Sequence, residues 1–319
     1  MIYDCFLYYD EDMLLDIRLH TLADVVDRFV IVEATHSFTG IPRELHFDIT
    51  KFAKFRDKII YVPFDAQPIL NSADNNQVDA WANEAALRNS IMNGLKDAAD
   101  DDLILVSDVD EIFSPETVRA INPRALCTTI HQNVFNYQFN LQVHNMDGTP
   151  RKCTLPRATS YYNLKHFFHG EPESFRNWKR TRKDKNWSWF KWNWLKINNK
   201  VVKDGGWHFS WVMTPERISE KMSTISHTEY DLPEFNNPEH IMKVITNAED
   251  IWGRDRKLVR QEVSKRTLPS YLVDNQHHIR NLFYDAGGAP GQFRKRDTKT
   301  KAYPNPAMLT VYTVKRSYR

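Results

Sequence analysis

Cysteine is scarce in this sequence. Its three cysteines, Cys5, Cys127 and Cys153, are odd in number among 319 residues, widely spaced, and form no CxxC pair. Neither a disulfide framework nor a zinc knuckle is therefore indicated, and reduced thiols are expected. Long apolar runs are also missing, since no stretch approaches the roughly 18–20 residues a membrane helix needs. The first twelve residues hold Asp4, Asp10, Glu11 and Asp12 and lack the basic start and cleavage site of a signal peptide. The expectation is a cytoplasmic chain without a membrane span. Excess charge of one sign is absent as well: 43 basic residues balance 41 acidic ones, for a net +2. A uniformly basic nucleic-acid coat is thereby excluded. What the chain does have is apolar and aromatic content, 41% and 13%. That argues against disorder, and the length is ample for a core.

Strand-like and helix-like segments alternate through the first half. Apolar runs at 2–9, 29–32, 58–63 and 103–106 predict strands, with helical spacing over 12–26 and 78–98. This alternation predicts an α/β fold with a mainly parallel central sheet flanked by helices. Residues 128–144 suit a strand pair or meander. A helix is expected after Thr214-Pro215-Glu216, where threonine can cap and proline fits the first turn. Further helices are expected over 238–263, broken near Gly253, and over 271–284. Residues 1–284 are read as one unit and 285–319 as a loosely held tail.

Charge is unevenly distributed. Residues 176–203 contain five tryptophans and ten Lys or Arg against one Asp. That segment carries +9, which leaves −7 for the rest of the chain. It is read as a ligand-facing loop, since aromatic faces stack on sugars or bases and cations attract phosphates. A solvated basic flap with its indoles tucked inward is the alternative.

LILVSDVDE, residues 103–111, is the sharpest local feature. A buried strand runs into Asp108 and Asp110, whose i, i+2 spacing would place both carboxylates on one strand face. Open α/β sheets bind ligands outside the carboxyl ends of their strands. Two carboxylates there suit Mg²⁺ or Mn²⁺. The pattern alone says little, because Asp10/Asp12 and Asp100/Asp102 repeat it. A second strand end, Glu33, leads into a loop with His36, Ser37, Thr39, Gly40 and Arg43. Glu33 could accept hydrogen bonds from a ribose or sugar and Arg43 could meet a phosphate; an internal Glu33–Arg43 salt bridge is the alternative. His208, in GGWHFSW at 205–211, is either a satisfied core histidine or a ligand at the aspartate edge.

Five stretches then line up in order: residues 3–47, the helix around DAWANEAALRN at 79–89, ILVSDVDEI at 104–112, GGWHFSWVMTPERISEKM at 205–222, and LPSYLVDN at 268–275. On these the chain resembles glycosyltransferase family 17. The resemblance implies a GT-A-like domain and an inverting transferase. It further implies a UDP-sugar donor, UDP-GlcNAc in characterised members, and a divalent metal, usually Mn²⁺. Asp108 and Asp110 match the position that binds metal and diphosphate, and His208 matches a third ligand. Glu33 and Arg43 match the loop beside the nucleotide. Arg88 would reach the diphosphate, or else pair with Glu84 one helical turn back. The general base would be Glu111, Glu229 or Asp79. The expected partners are a nucleotide-sugar donor and a glycan or other hydroxyl acceptor, not nucleic acid. A metal-dependent phosphoesterase or nucleotidyltransferase and a non-catalytic carbohydrate- or nucleic-acid-binding protein are the competing functions.

Overall fold

The computed structural model describes residues 1–72, 77–178, 188–225 and 231–284. In chain order its first elements are β1 (Ile2–Leu7), α1 (Asp12–Leu22), β2 (Arg28–Ala34), β3 (Ile59–Phe64), α2 (Ala80–Asn89), β4 (Leu103–Asp108) and β5 (Glu111–Phe113). Next come α3 (Pro115–Ala120), β6 (Cys127–Ile130), β7 (Gln132–Asn136), β8 (Leu141–His144), β9 (Lys152–Cys153), β10 (Arg157–Ser160), α4 (Tyr161–His166) and α5 (Pro172–Arg176). The remaining ones are α6 (Trp189–Asn198), β11 (Asn199–Val202), β12 (Gly206–Ser210), α7 (Pro215–Thr224), α8 (Pro238–Thr246), β13 (Lys257–Arg260) and α9 (Ser270–Asp274).

The expected α/β class is what the chain forms. The central sheet runs β11-β6-β10-β4-β1-β2-β3. Its β4-β1-β2-β3 portion is parallel throughout, and β10 is the antiparallel insertion. Successive side chains on a strand point to opposite faces, so each inner strand feeds two cores. Phe6, Phe29, Ile31, Leu103 and Leu105 pack with Leu15, Leu19 and Leu22 of α1 on one face. Cys5, Val30, Val32, Ile104 and Val106 pack with Leu87 of α2 and Phe175 of α5 on the other. Burial on both faces is why these strands read as continuous apolar runs rather than alternating ones.

A second sheet, β13-β8-β7-β12-β5 with β9 on β7, was not anticipated beyond the strand pair at 128–144. It draws on distant segments: β12 runs antiparallel to β5 and parallel to β7. Three helix expectations are corrected. The helix over 78–98 stops at Asn89 and continues as a 3₁₀ turn, Ser90–Gly94. The helix over 238–263 ends at Thr246, because Ala248 and Gly253 adopt left-handed backbone (φ +53° and +61°) and Lys257–Arg260 pairs with β8 instead. Residues 271–284 divide into α9 and a kinked 3₁₀ segment, Gln276–Leu282. Within the basic segment, 188–198 is a capped helix, α6, rather than a loop. Residues 179–187 and the tail at 285–319 lie outside the described residues. No helix among the described residues is long and apolar enough to cross a membrane.

Candidate active site

The two sheets join where the sequence reads Asp-Val-Asp-Glu. β4 ends at Asp108, a two-residue turn holds Val109 and Asp110, and β5 begins at Glu111. Asp108 and Asp110 therefore do not share a strand face as the spacing suggested; a turn brings them together. The neighbouring strand fixes the turn from the other side. His208 of β12 lies opposite Glu111 in register, and the Phe209 amide donates to the Asp110 carbonyl at 2.9 Å. Gly206 permits this closeness. Its φ is +151°, and a Cβ there would stand 2.2 Å from the Ile112 carbonyl oxygen.

A residue the sequence did not flag holds the turn from beneath. Arg18 of α1, fully buried, donates to the carbonyl oxygens of Asp108 (2.7 Å), Val109 (3.2 Å) and Glu111 (3.1 Å). Its remaining nitrogens form a bidentate pair with Asp4 at 2.7 and 2.6 Å. A single apolar-face helix residue gives no periodicity signal, and only tertiary contact reveals its role.

The turn opens into a cleft of about 400 Å³ at the carboxyl ends of β1, β2, β4 and β12. Its lining includes Tyr9, Asp10 and Glu11 after β1, His36 and Ser37 after β2, and Trp81, Glu84 and Arg88 from α2. Asp108, Asp110, Glu111, Arg176 and His208 also reach it, with Trp211, Arg217 and Lys221 from the α7 side. This is the size and the edge at which open α/β sheets accept small ligands.

Charge inside the cleft is ordered. Both oxygens of Asp108 are engaged, one by Arg88 at 2.9 Å and the other by Arg176 at 2.6 Å. Burial penalises the Asp108 charge, but Arg176 and Arg88 outweigh it and hold the carboxyl well below the usual carboxylate range. Arg88 pairs with Glu84 as well, so the structural ion pair weighed for it is present beside its contact with Asp108. Glu111 is engaged at both oxygens: it accepts from Arg176 (2.6 Å), the Asp108 amide (2.9 Å) and the Cys153 thiol (3.2 Å). Asp110 differs, since its near neighbour is His208 Nε2 at 3.6 Å. Burial opposes the Asp110 charge and His208 more than compensates, so its pKa is lowered. Burial opposes the imidazolium of His208, and Cys153 and Asp110 raise it well above its ordinary value. Nδ1 of His208 is buried with no hydrogen-bond partner among the described residues. Lys221 faces Glu11 at 3.6 Å; burial lowers its pKa, and Glu11, Asp110 and Asp108 raise it more.

Asp108, Asp110, Glu111, His208 and Arg88 thus converge on one cleft. Glu33, Arg43 and Asp79 do not line it. Glu33 is fully buried, taking Arg43 at 2.8 Å, the His46 and Phe47 amides at 2.7 and 3.0 Å, and the Tyr61 hydroxyl at 2.9 Å. Arg43 spans to the loop after β1, with its guanidinium 4.0 Å over the Tyr9 ring. The internal salt bridge considered for this pair is the one present. Asp79 caps α2 by accepting from the Ala82 amide at 3.0 Å. Glu229 lies outside the described residues. Arg176, Arg217, Lys221 and Cys153 were not singled out from sequence. Arg176 was visible only as the start of a basic run, and Arg217 and Lys221 lie one helical turn apart after a recognisable threonine cap.

Comparison with known proteins gives the family. The profile of glycosyltransferase family 17 matches residues 1–166. Two curated relatives are the β-1,4-mannosyl-glycoprotein 4-β-N-acetylglucosaminyltransferases of Rattus norvegicus and Homo sapiens, 26% and 27% identical over 293 residues. Each alignment covers 84% of this chain and 52% of the relative, so the chain spans about half the length of the proteins it matches. Among solved structures, S. aureus TarS residues 1–349 with UDP-GlcNAc aligns at 13% identity and TM-score 0.36, over 77% of this chain and 71% of that one. That likeness is too distant to bear on function. On the match spanning more than half its sequence, this chain belongs to glycosyltransferase family 17.

Proposed function

We propose that the protein is a glycosyltransferase that moves a sugar, N-acetylglucosamine foremost, from a nucleotide-sugar donor to a glycan hydroxyl. Family membership supports sugar transfer, and the activity of the rat and human relatives supports the choice of sugar. A UDP donor and an inverting, in-line reaction follow from the family resemblance. The observation that carries the reading is the Asp110–His208 pair on the floor of a cleft ringed by Arg88, Arg176, Arg217 and Lys221.

The donor set fits a divalent ion. Asp110 supplies carboxylate oxygen, and His208 supplies Nε2, the ring nitrogen that faces it at 3.6 Å. The carboxylate oxygen suits Mn²⁺ or Mg²⁺, and the imidazole nitrogen favours Mn²⁺ of the two. Such an ion would neutralise charge on the departing diphosphate. Asp108 is not equivalent, because two guanidiniums occupy its oxygens; its part is to aim Arg88 and Arg176 at the donor. Arg217 and Lys221 present further charge-assisted donors to the diphosphate. Glu111, held on all sides, braces the turn instead of taking a proton. Trp81 and Trp211 offer aromatic faces to a sugar ring.

The test is a screen of UDP- and GDP-sugars with Mn²⁺, reading nucleotide release, for the native protein and Asp110→Asn. Metal-dependent release from a UDP-sugar that vanishes in a folded Asp110→Asn variant is the expected result. Undiminished release in that variant would remove Asp110 from the metal site.

A further inference from the structure

The cleft leaves one prominent surface unexplained. Helix α6 is apolar on two opposite sides. Leu195 is fully buried, and Trp192 packs beside it in the core that also holds Trp178, Phe168 and Phe175. The opposite side carries Phe190, Trp194 and Ile197, at 77%, 60% and 76% exposure, with Trp189 at 62% beside them. Positions i, i+4 and i+7 fall on one stripe of a helix, at about 100° per residue. The exposed stripe is therefore continuous and faces directly away from the docked one.

We infer that this stripe is an interfacial surface that seats on an anionic lipid bilayer. Three features favour lipid over another occupant. First, Lys196 flanks the stripe and Lys200 and Lys203 follow, all exposed, with no acidic residue anywhere in 188–203, while Lys191 on the other flank is turned to the Phe167 carbonyl at 2.7 Å. Second, indole and phenyl side chains beside lysine are the composition that partitions into the headgroup boundary, where aromatic rings sit shallowly and ammonium groups reach lipid phosphates. Third, charge is segregated: 188–203 carries +4 while the rest of the chain sums to −2. An anionic surface would attract this face and repel the others, which orients the molecule. The surface is separate from the candidate active site, since none of Trp189, Phe190, Trp194 or Ile197 lines the cleft. The inference therefore does not depend on the proposed reaction.

The test is sedimentation of the full chain with vesicles of phosphatidylcholine alone or with 30% phosphatidylglycerol, at about 0.05 and 0.3 M salt. Pelleting with the anionic vesicles that weakens with salt is expected. The triple substitution Phe190→Ser, Trp194→Ser, Ile197→Ser should lower the partition about tenfold or more, because single weak anchors bind only marginally. A Lys196→Glu, Lys200→Glu variant should do likewise while leaving the apolar stripe intact. Neither set touches the cleft, so nucleotide release from a water-soluble donor should be unchanged. Failure of the native chain to pellet with anionic vesicles overturns the inference, as does equal pelleting of the triple variant. So does a concentration-dependent dimer that the triple substitution abolishes, which would make a second copy the occupant.

Discussion

The guanidinium of Arg18 lies 2.7 Å from the carbonyl oxygen of Asp108, so a helix next to β1 fixes the turn that carries the candidate metal ligand. The same group satisfies the Val109 and Glu111 carbonyls and pairs with Asp4, all in a fully buried setting. Arg18→Met removes every one of these donors and strands the Asp4 charge. Breaking a buried pair from one side costs about 3–5 kcal/mol. Urea melts should show that loss for Arg18→Met and a partial recovery on adding Asp4→Leu, since the second change removes the stranded charge. Strict additivity of the two substitutions would mean the pair is not coupled.

Gly206 is the other support of the turn. Alanine there places its Cβ 2.2 Å from the Ile112 oxygen and 2.9 Å from Phe113 Cα, both backbone atoms that cannot rotate away. The added methyl must push β12 from β5, and His208 lies two residues further along β12. Overpacking and an unfavourable φ each cost about 1–3 kcal/mol. Gly206→Ala should therefore melt markedly earlier than the native protein and lose metal-dependent nucleotide release. A native-like melt with full release would show that the two strands can separate without harm.

The parallel strands and their order of appearance were legible in the sequence because burial on both faces makes them near-continuous apolar runs. The Asp-Val-Asp turn was legible as a ligand site for the same reason: it follows such a run. Its geometry was not. The i, i+2 rule presumes a continuing strand, and nothing local says that Glu111 leaves for a second sheet whose partner lies about a hundred residues on. Arg18, Arg176 and Lys221 escaped notice because arginine and lysine on helices are usually solvated, and only the assembled fold gives them carboxylates to meet. The Glu33–Arg43 pair shows the converse. Its strand-end position suggested a ligand, while hydrogen-bond saturation by the Tyr61 hydroxyl and two amides shows that the protein itself fills that need.

Arg176 joins Asp108 and Glu111 through one nitrogen at 2.6 Å from each. Arg176→Ala leaves two carboxylates facing one another with only Arg88 beside Asp108. A destabilisation of about 3–5 kcal/mol is expected by the same buried-charge argument. Arg176→Lys keeps the charge, but its stem ends one bond short of the single nitrogen that serves both carboxylates, so it should fall between the two. Chemical denaturation orders the three proteins. If lysine matched arginine, the charge alone would account for what Arg176 does there.

Asp16 ties α1 to α9, accepting from the Tyr271 hydroxyl at 2.7 Å, while the His20 and Tyr271 rings stack at 4.0 Å. Burial raises the Asp16 pKa, but hydrogen bonds from His20 and Tyr271, with the charges of His20 and Lys54, outweigh it and leave the pKa lowered. A carboxyl depressed in the folded state stabilises the fold above its unfolded pKa of about 3.9, and that contribution fades as pH falls through the folded value. Asp16→Asn retains an oxygen for Tyr271 but no charge. The stability gap between native and Asp16→Asn proteins should therefore be full at pH 6, shrink below about pH 4, and close once Asp16 is protonated. Urea melts across that range measure it, and a gap that stayed constant from pH 6 down to about pH 3 would show that the lost interaction does not depend on the Asp16 charge.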